Sequence, residues 1–136
     1  MKFRNVFLFG ATAVLLAFSF VLFGCSDDLT DLTDFSVSVK YQITGDVGAV
    51  DSLTYKNALG DYIDLLNVVL PWEKTISVVA DSGDFYEAYV TATVNQDCEL
   101  VAKIFLENNQ IHSSTSSFEA PVTVTAKAKI IFNTNL

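Results

Sequence analysis

From residue 35 onward, apolar and polar residues alternate with a period of two, and that spacing restricts the chain to strands with one apolar face each. Val37, Val39, Tyr41 and Ile43 alternate with Ser36, Ser38, Lys40, Gln42 and Thr44. Tyr86, Ala88, Val90, Ala92 and Val94 share one face of a later strand, and Leu100, Ala102, Ile104 and Leu106 one face of the next. In the last strand Val122, Val124, Ala126, Ala128 and Ile130 alternate with Thr123, Thr125, Lys127 and Lys129.

Turn residues separate these runs. A turn at 45–48 leads to a strand holding Leu53 and Tyr55, and 57–61 turns again. Residues 63–70 read as a more continuous apolar strand that Pro71 stops, and 75–80 as a fourth strand. Asp81-Ser82-Gly83-Asp84 and Glu107-Asn108-Asn109-Gln110 are turn signals. Residues 111–117 form a polar strand suited to a sheet edge. Seven to eight short strands without a helical period predict an all-β fold, an immunoglobulin-like antiparallel β-sandwich over 35–136, with a small closed barrel as the alternative. The outward positions are Lys, Thr, Ser and Glu, which does not suit the lipid-facing band of an outer-membrane barrel.

Ahead of this domain stand Lys2 and Arg4, an apolar run over 6–23, and the motif Leu22-Phe23-Gly24-Cys25. This reads as a lipoprotein signal peptide over 1–24, cleaved before Cys25. Phe23 is bulkier than the small residue usual there. The Cys25 thiol would carry a diacylglyceryl group and its amino group a further acyl chain, and two or more chains hold a protein on a membrane. The alternative is an uncleaved transmembrane helix, for which 18 apolar residues barely suffice. Residues 25–34 would be the lipidated cysteine and a short acidic tether. Cys25-Ser26-Asp27-Asp28 also resembles the acidic export signal of Bacteroidota surface lipoproteins; a plain solvated linker is the other reading. The expected location is the bacterial cell envelope, at the outer membrane or cell surface.

Charge narrows the partners. All 16 Asp and Glu lie after residue 24, against six of the eight Lys and Arg. So acidic a surface argues against nucleic acid, because no basic patch is available to displace counterions from phosphates.

Chemistry finds few residues. His112 is the one histidine, in a run of Ser and Thr, and is expected as an exposed strand residue; its serine neighbours lack an orienting acid and an oxyanion hole. Cys98 shares the parity of Leu100 and is expected as a buried thiol, with an intermolecular disulfide as the alternative. For metals, Asp81 with Asp84, and Asp61 with Asp64, are the available carboxylates, but neither set has calcium-loop spacing and both read as turn residues. No metal or cofactor is expected, nor an enzyme. Among aromatics, Trp72 follows Pro71 at an end of the sandwich, as a packing plug or a contact. Tyr89 has the outward parity of Glu87, Thr91 and Thr93, as a ligand or partner contact or one half of a cross-strand pair.

Four segments carry a family resemblance: Val39-Lys40-Tyr41-Gln42-Ile43-Thr44-Gly45, Leu53-Thr54-Tyr55, Leu70-Pro71-Trp72-Glu73-Lys74, and Lys103-Ile104-Phe105-Leu106-Glu107-Asn108-Asn109-Gln110-Ile111. In order and spacing, over about 39–117, they resemble the mycobacterial small membrane protein family, MmpS, and its lipoprotein relatives. The resemblance implies a small membrane-attached β-sandwich that assists a resistance-nodulation-division transporter exporting lipids or siderophores. Two features depart from it. The mycobacterial members use a transmembrane helix where this chain has Cys25, and their usual pair of cysteines would fall on Ala102 and near Ala126 or Ala128. The sequence therefore points to a non-enzymatic envelope lipoprotein, membrane-bound through Cys25, that meets a transporter through Trp72, Tyr89, Asn108 and Asn109. The alternative is a surface module that binds a ligand or adheres, without a transporter.

Overall fold

The computed structural model describes residues 35–133. The proposed signal peptide, Cys25 and the tether lie outside the described residues. Eight strands run β1 Phe35–Gly45, β2 Ala49–Lys56, β3 Tyr62–Val69, β4 Trp72–Ala80, β5 Phe85–Val94, β6 Cys98–Leu106, β7 Asn109–Phe118 and β8 Val122–Ile131. They form two antiparallel sheets, the first in the order β4-β1-β6-β7 and the second β3-β2-β5-β8. The fold is an all-β sandwich, as the alternation requires. This strand order does not establish the immunoglobulin-like topology, since β6 and β7 extend the first sheet on the side of β1 away from β4.

The core lies between the sheets and follows the expected parities. Val39, Tyr41 and Ile43 of β1, Leu100, Ala102 and Ile104 of β6, and Val90, Ala92, Val124 and Ala126 of the second sheet are buried. Burial of such side chains is the main force holding two sheets face to face.

Several details go beyond or differ from the sequence reading. The more continuous apolar strand is β3, and it is an edge: Ile63, Leu65 and Val68 pack on the core while Leu66 and Val69 face solvent. Its register with β2 is constant, but the inward parity of both strands changes across Asp51 and Asn67. Val50 pairs with Val68 and Ser52 with Leu66, which leaves Asp51 and Asn67 between, with Asn67 at φ 51°. β4 begins at Trp72 rather than 75, because the charged Lys74 occupies a core-side position opposite Tyr41 yet is exposed on the edge strand. The β6–β7 turn is only Glu107-Asn108, at φ 47° and 65°, so Asn109 and Gln110 already pair in β7. Both central residues at positive φ match a type I′ hairpin, whose twist suits the flanking strands.

β7 is the edge strand of the first sheet, as its polarity suggested. His112, however, is half-buried rather than exposed, because its pairing with Ile104 turns it toward the core side.

Two ends of the sandwich follow from the register. One carries Phe35, the 57–61 turn, the 81–84 loop, the Glu107-Asn108 turn and Ile131. The other carries the 46–48 turn, Pro71, the 95–97 turn and the 119–121 connection.

Candidate functional site

The four candidate contacts do not converge. Trp72 opens β4 opposite Ile43, whereas the backbone N–H of Glu107 bonds to the Ser38 carbonyl at 2.9 Å. Five residues along β1 separate these levels, about 17 Å, and the two lie on opposite flanks of β1. Tyr89 is on the other sheet. Trp72 is half-buried, its ring centroid 5.5 Å from that of Tyr55, so it serves the core at this end. Asn108 and Asn109 are exposed, and the Asn109 side-chain amide donates to the Glu107 carbonyl at 3.3 Å. The Ser38 N–H donates to Glu107 Oε1 at 2.5 Å, which fastens the turn to β1.

The outer face of the second sheet does gather side chains of one kind. Lys56 pairs with Tyr62, and Tyr89 with Lys127, so all four stand on the solvent side at one level. The rings of Tyr62 and Tyr89 meet edge to face, centroids 5.4 Å apart at 85°. The Lys56 ammonium stands 5.6 Å from the Tyr62 ring centre and that of Lys127 5.3 Å from Tyr89. One level further, Lys129 stands 4.3 Å from the ring of Phe85. Cation–π attraction holds these ammonium groups over the rings instead of leaving them to wander in solvent. Three of the six lysines among the described residues are thus on one face of an acidic protein.

Beside this row the same face is hydroxylated. Thr91 Oγ1 lies 2.8 Å from Thr125 Oγ1, Thr93 Oγ1 lies 2.9 Å from Thr123 Oγ1, and Thr54 Oγ1 donates to Asp64 at 2.6 Å. Cross-strand pairs of this kind stabilise a sheet and keep its surface flat and polar. Tyr89 is therefore outward and makes a ring pair across strands with Tyr62. The outward parity of Tyr89 was readable from the sequence. Its neighbours Tyr62, Lys56 and Lys127 were not, since they come from three other strands.

A second feature is a cavity of about 390 Å³ at the end carrying Phe35, bounded by Lys56, Leu59, Val79, Asp84, Phe85 and Tyr86. Its inner wall is fixed by two tyrosines. The hydroxyls of Tyr41 and Tyr86 lie 2.9 and 3.0 Å from the carbonyl oxygen of Lys56, and that of Tyr86 lies 2.8 Å from the Asn57 carbonyl. Burial pushes both phenols above their ordinary range.

The remaining candidates serve the fold. Asp81 and Asp84 close their turn through an Asp84 N–H to Asp81 carbonyl bond at 3.1 Å, with Gly83 at φ 92°. The backbone N–H of Asp61 bonds to Asn57 Oδ1 at 2.9 Å, while Asp64 accepts from Thr54. Among the described residues no three of His, Cys, Asp and Glu are gathered to hold a metal ion. Cys98 is a buried free thiol, pushed up by burial and then by the charges of Asp46 and Asp97. No helix among the described residues is long and apolar enough to cross a membrane. No protein-family model matches the chain, and no curated protein matches it.

Proposed function

We propose that the chain is a non-enzymatic, lipid-anchored binding protein of the bacterial cell envelope. The anchor reading rests on Leu22-Phe23-Gly24-Cys25 after a basic start and an apolar run. The binding reading rests on one observation, the level of Tyr62, Lys56, Tyr89 and Lys127 on the outer face of the second sheet. Pre-positioned cations beside aromatic rings and hydroxyls suit a polar or anionic partner, and little side-chain freedom remains to be lost on binding.

A transporter of the resistance-nodulation-division class is the partner that the resemblance implies. Three of the four segments that carry it fall on neighbouring strands, β1, the start of β4 and the β6–β7 hairpin, so they form one continuous piece of the first sheet. Its outer side joins Gln42 to Glu73 at 2.7 Å and sets Lys40 4.5 Å from the Phe105 ring centre. The alternative partner is a ligand at the cell surface, met by the second sheet.

Cross-linking of the lipidated protein in its own cells, read by mass spectrometry, separates the two. One transporter recovered with links at Lys40, Lys74 or Lys103 supports the accessory role. Links confined to Lys56, Lys127 and Lys129, with no fixed membrane protein, support the surface ligand. Links spread evenly over all six lysines, to abundant proteins only, would sink both.

A further inference from the structure

Exposed apolar side chains are not spread evenly over this sandwich. Among the described residues nine large hydrophobic side chains face solvent: Leu59, Tyr62, Val79, Phe85 and Ile131 lie at one end, Val69 and Phe118 at the other, and Leu66 and Ile111 between. Leu59 is 87% exposed at the tip of the 57–61 turn and Phe85 is 61% exposed at the start of β5. Phe85 pairs with Ile131, and Leu59, Val79 and Phe85 border the same cavity. An apolar patch of this kind marks a surface that is covered in use.

The chain itself says what covers it. Phe35 pairs with Ala80, and Ala80 also borders that cavity, so β1 begins at this end. Nine residues separate Cys25 from Phe35. The ten steps from Cys25 to Phe35 reach at most about 35 Å when fully extended, close to the length of the ten-residue strands, about 34 Å. The end where β1 begins rests on the lipid with the lead slack, whereas the Trp72 end reaches it only with the lead drawn out to its full length along the sandwich. We infer that the end formed by Leu59, Val79, Phe85 and Ile131 seats on the bilayer that holds Cys25; this rests on the anchor reading above.

Apolar area, not charge, drives the seating. Asp61, Asp81 and Asp84 share this end with Lys56 and Lys129, which leaves no net positive patch for anionic lipid. A zwitterionic bilayer therefore suffices. Seating stands the strands up from the membrane and presents the Trp72 end and both outer sheet faces to partners.

The chain has one tryptophan, Trp72, at the far end, which makes a direct test possible. Lipidated full-length protein is purified from cells and placed in phosphatidylcholine vesicles with brominated acyl chains, which quench only tryptophans within reach of the lipid. Wild-type fluorescence should be unquenched. Leu59→Trp and Phe85→Trp should each add an emission component that brominated lipid removes, at low and at high salt alike. Phe85→Trp covers the case in which Leu59→Trp disturbs its turn. Quenching of wild-type Trp72, or no quenching of either added tryptophan in protein whose Cys25 is acylated and floats with vesicles, overturns the inference and leaves the anchor reading standing. A Cys25 without acyl chains on peptide mass overturns the anchor reading and the seating with it.

Discussion

The hydroxyl of Tyr41, on β1 of the first sheet, lies 3.0 Å from the hydroxyl of Tyr86, on β5 of the second. Both reach the carbonyl of Lys56, the last residue of β2, so one backbone oxygen ties the two layers at the end that carries the apolar patch. Burial raises both phenols above the ordinary value near 10. Below pH 10 both states of the chain keep these protons, and stability does not depend on them. Above pH 10 the unfolded chain releases them more readily than the folded chain, so stability falls as pH rises, by up to about 1.4 kcal/mol per pH unit for a group that keeps its proton when folded. Tyr41→Phe should cost about 1–2 kcal/mol at pH 7 through the lost buried hydrogen bond. It should also make the loss above pH 10 shallower than in wild type. Urea denaturation from pH 7 to 12 measures both, and an unchanged alkaline slope would rule out this role for Tyr41.

Gly45 closes β1 where β6 passes against it. A Cβ there would stand 2.7 Å from the Glu99 carbonyl oxygen and 2.8 Å from Leu100 Cδ2. The first of these is backbone on the paired strand, so β1 and β6 must part. Gly45→Ala should cost about 1–3 kcal/mol. Gly48, three residues on, has nothing within 4 Å of such a Cβ, and Gly48→Ala should stay within about 0.5 kcal/mol. Equal melting temperatures for the two variants would refute the difference.

What could be read in advance follows the range of the interaction. β5 and β8 declare themselves locally, since Tyr86 to Val94 and Val122 to Ile130 alternate without a break, and their inner residues are buried or nearly so. β3 is less legible because Leu66 and Val69 are apolar, yet a change of inward parity across Asn67 and an edge position leave them in solvent. Pairings such as Ile43 with Trp72 join distant segments, and no local pattern encodes them. For the same reason Tyr89 could be assigned to the outer side, but Tyr62 and Lys127 could not be assigned as its neighbours. Trp72 and Asn108 could not be sent to different ends either.

Asn108 has two possible reasons to be where it is, and one substitution parts them. Its φ of 65° is left-handed, a region that asparagine tolerates and β-branched residues do not. Asn108→Gly keeps the turn, and its stability should change by only a few tenths of a kcal/mol. Asn108→Val should cost about 1–2 kcal/mol. If cross-linked partner is lost with Asn108→Gly at unchanged melting temperature, the side chain is a contact. If partner is lost only with Asn108→Val, the residue acts through the turn.

Tyr62 and Tyr89 meet edge to face across a sheet surface where neither needs to be aromatic for burial. A double-mutant cycle of Tyr62→Ala and Tyr89→Ala should return a coupling of about 0.5–1.5 kcal/mol. Lys127→Ala should lower stability only slightly, since its ammonium is near the surface. All three substitutions should weaken capture of an envelope ligand if this level is the binding face. A coupling near zero would mean that the rings are not locked together in solution.

Cys98 begins β6, buried beside Asp46 and Asp97, and its thiol is pushed up first by burial and then by these carboxylates. Alkylation requires the thiolate, so both causes slow it. Native protein exposed to maleimide at neutral pH should react slowly, and protein in denaturant quickly, as read by intact mass. Asp97→Asn keeps an amide oxygen for the bond that Asp97 Oδ1 accepts from the Ala120 N–H at 2.8 Å, while it removes the charge. That variant should react faster than wild type in the folded state and no faster in denaturant. Fast, complete reaction of the native wild-type protein would mean that this end of β6 opens far more readily than its packing allows.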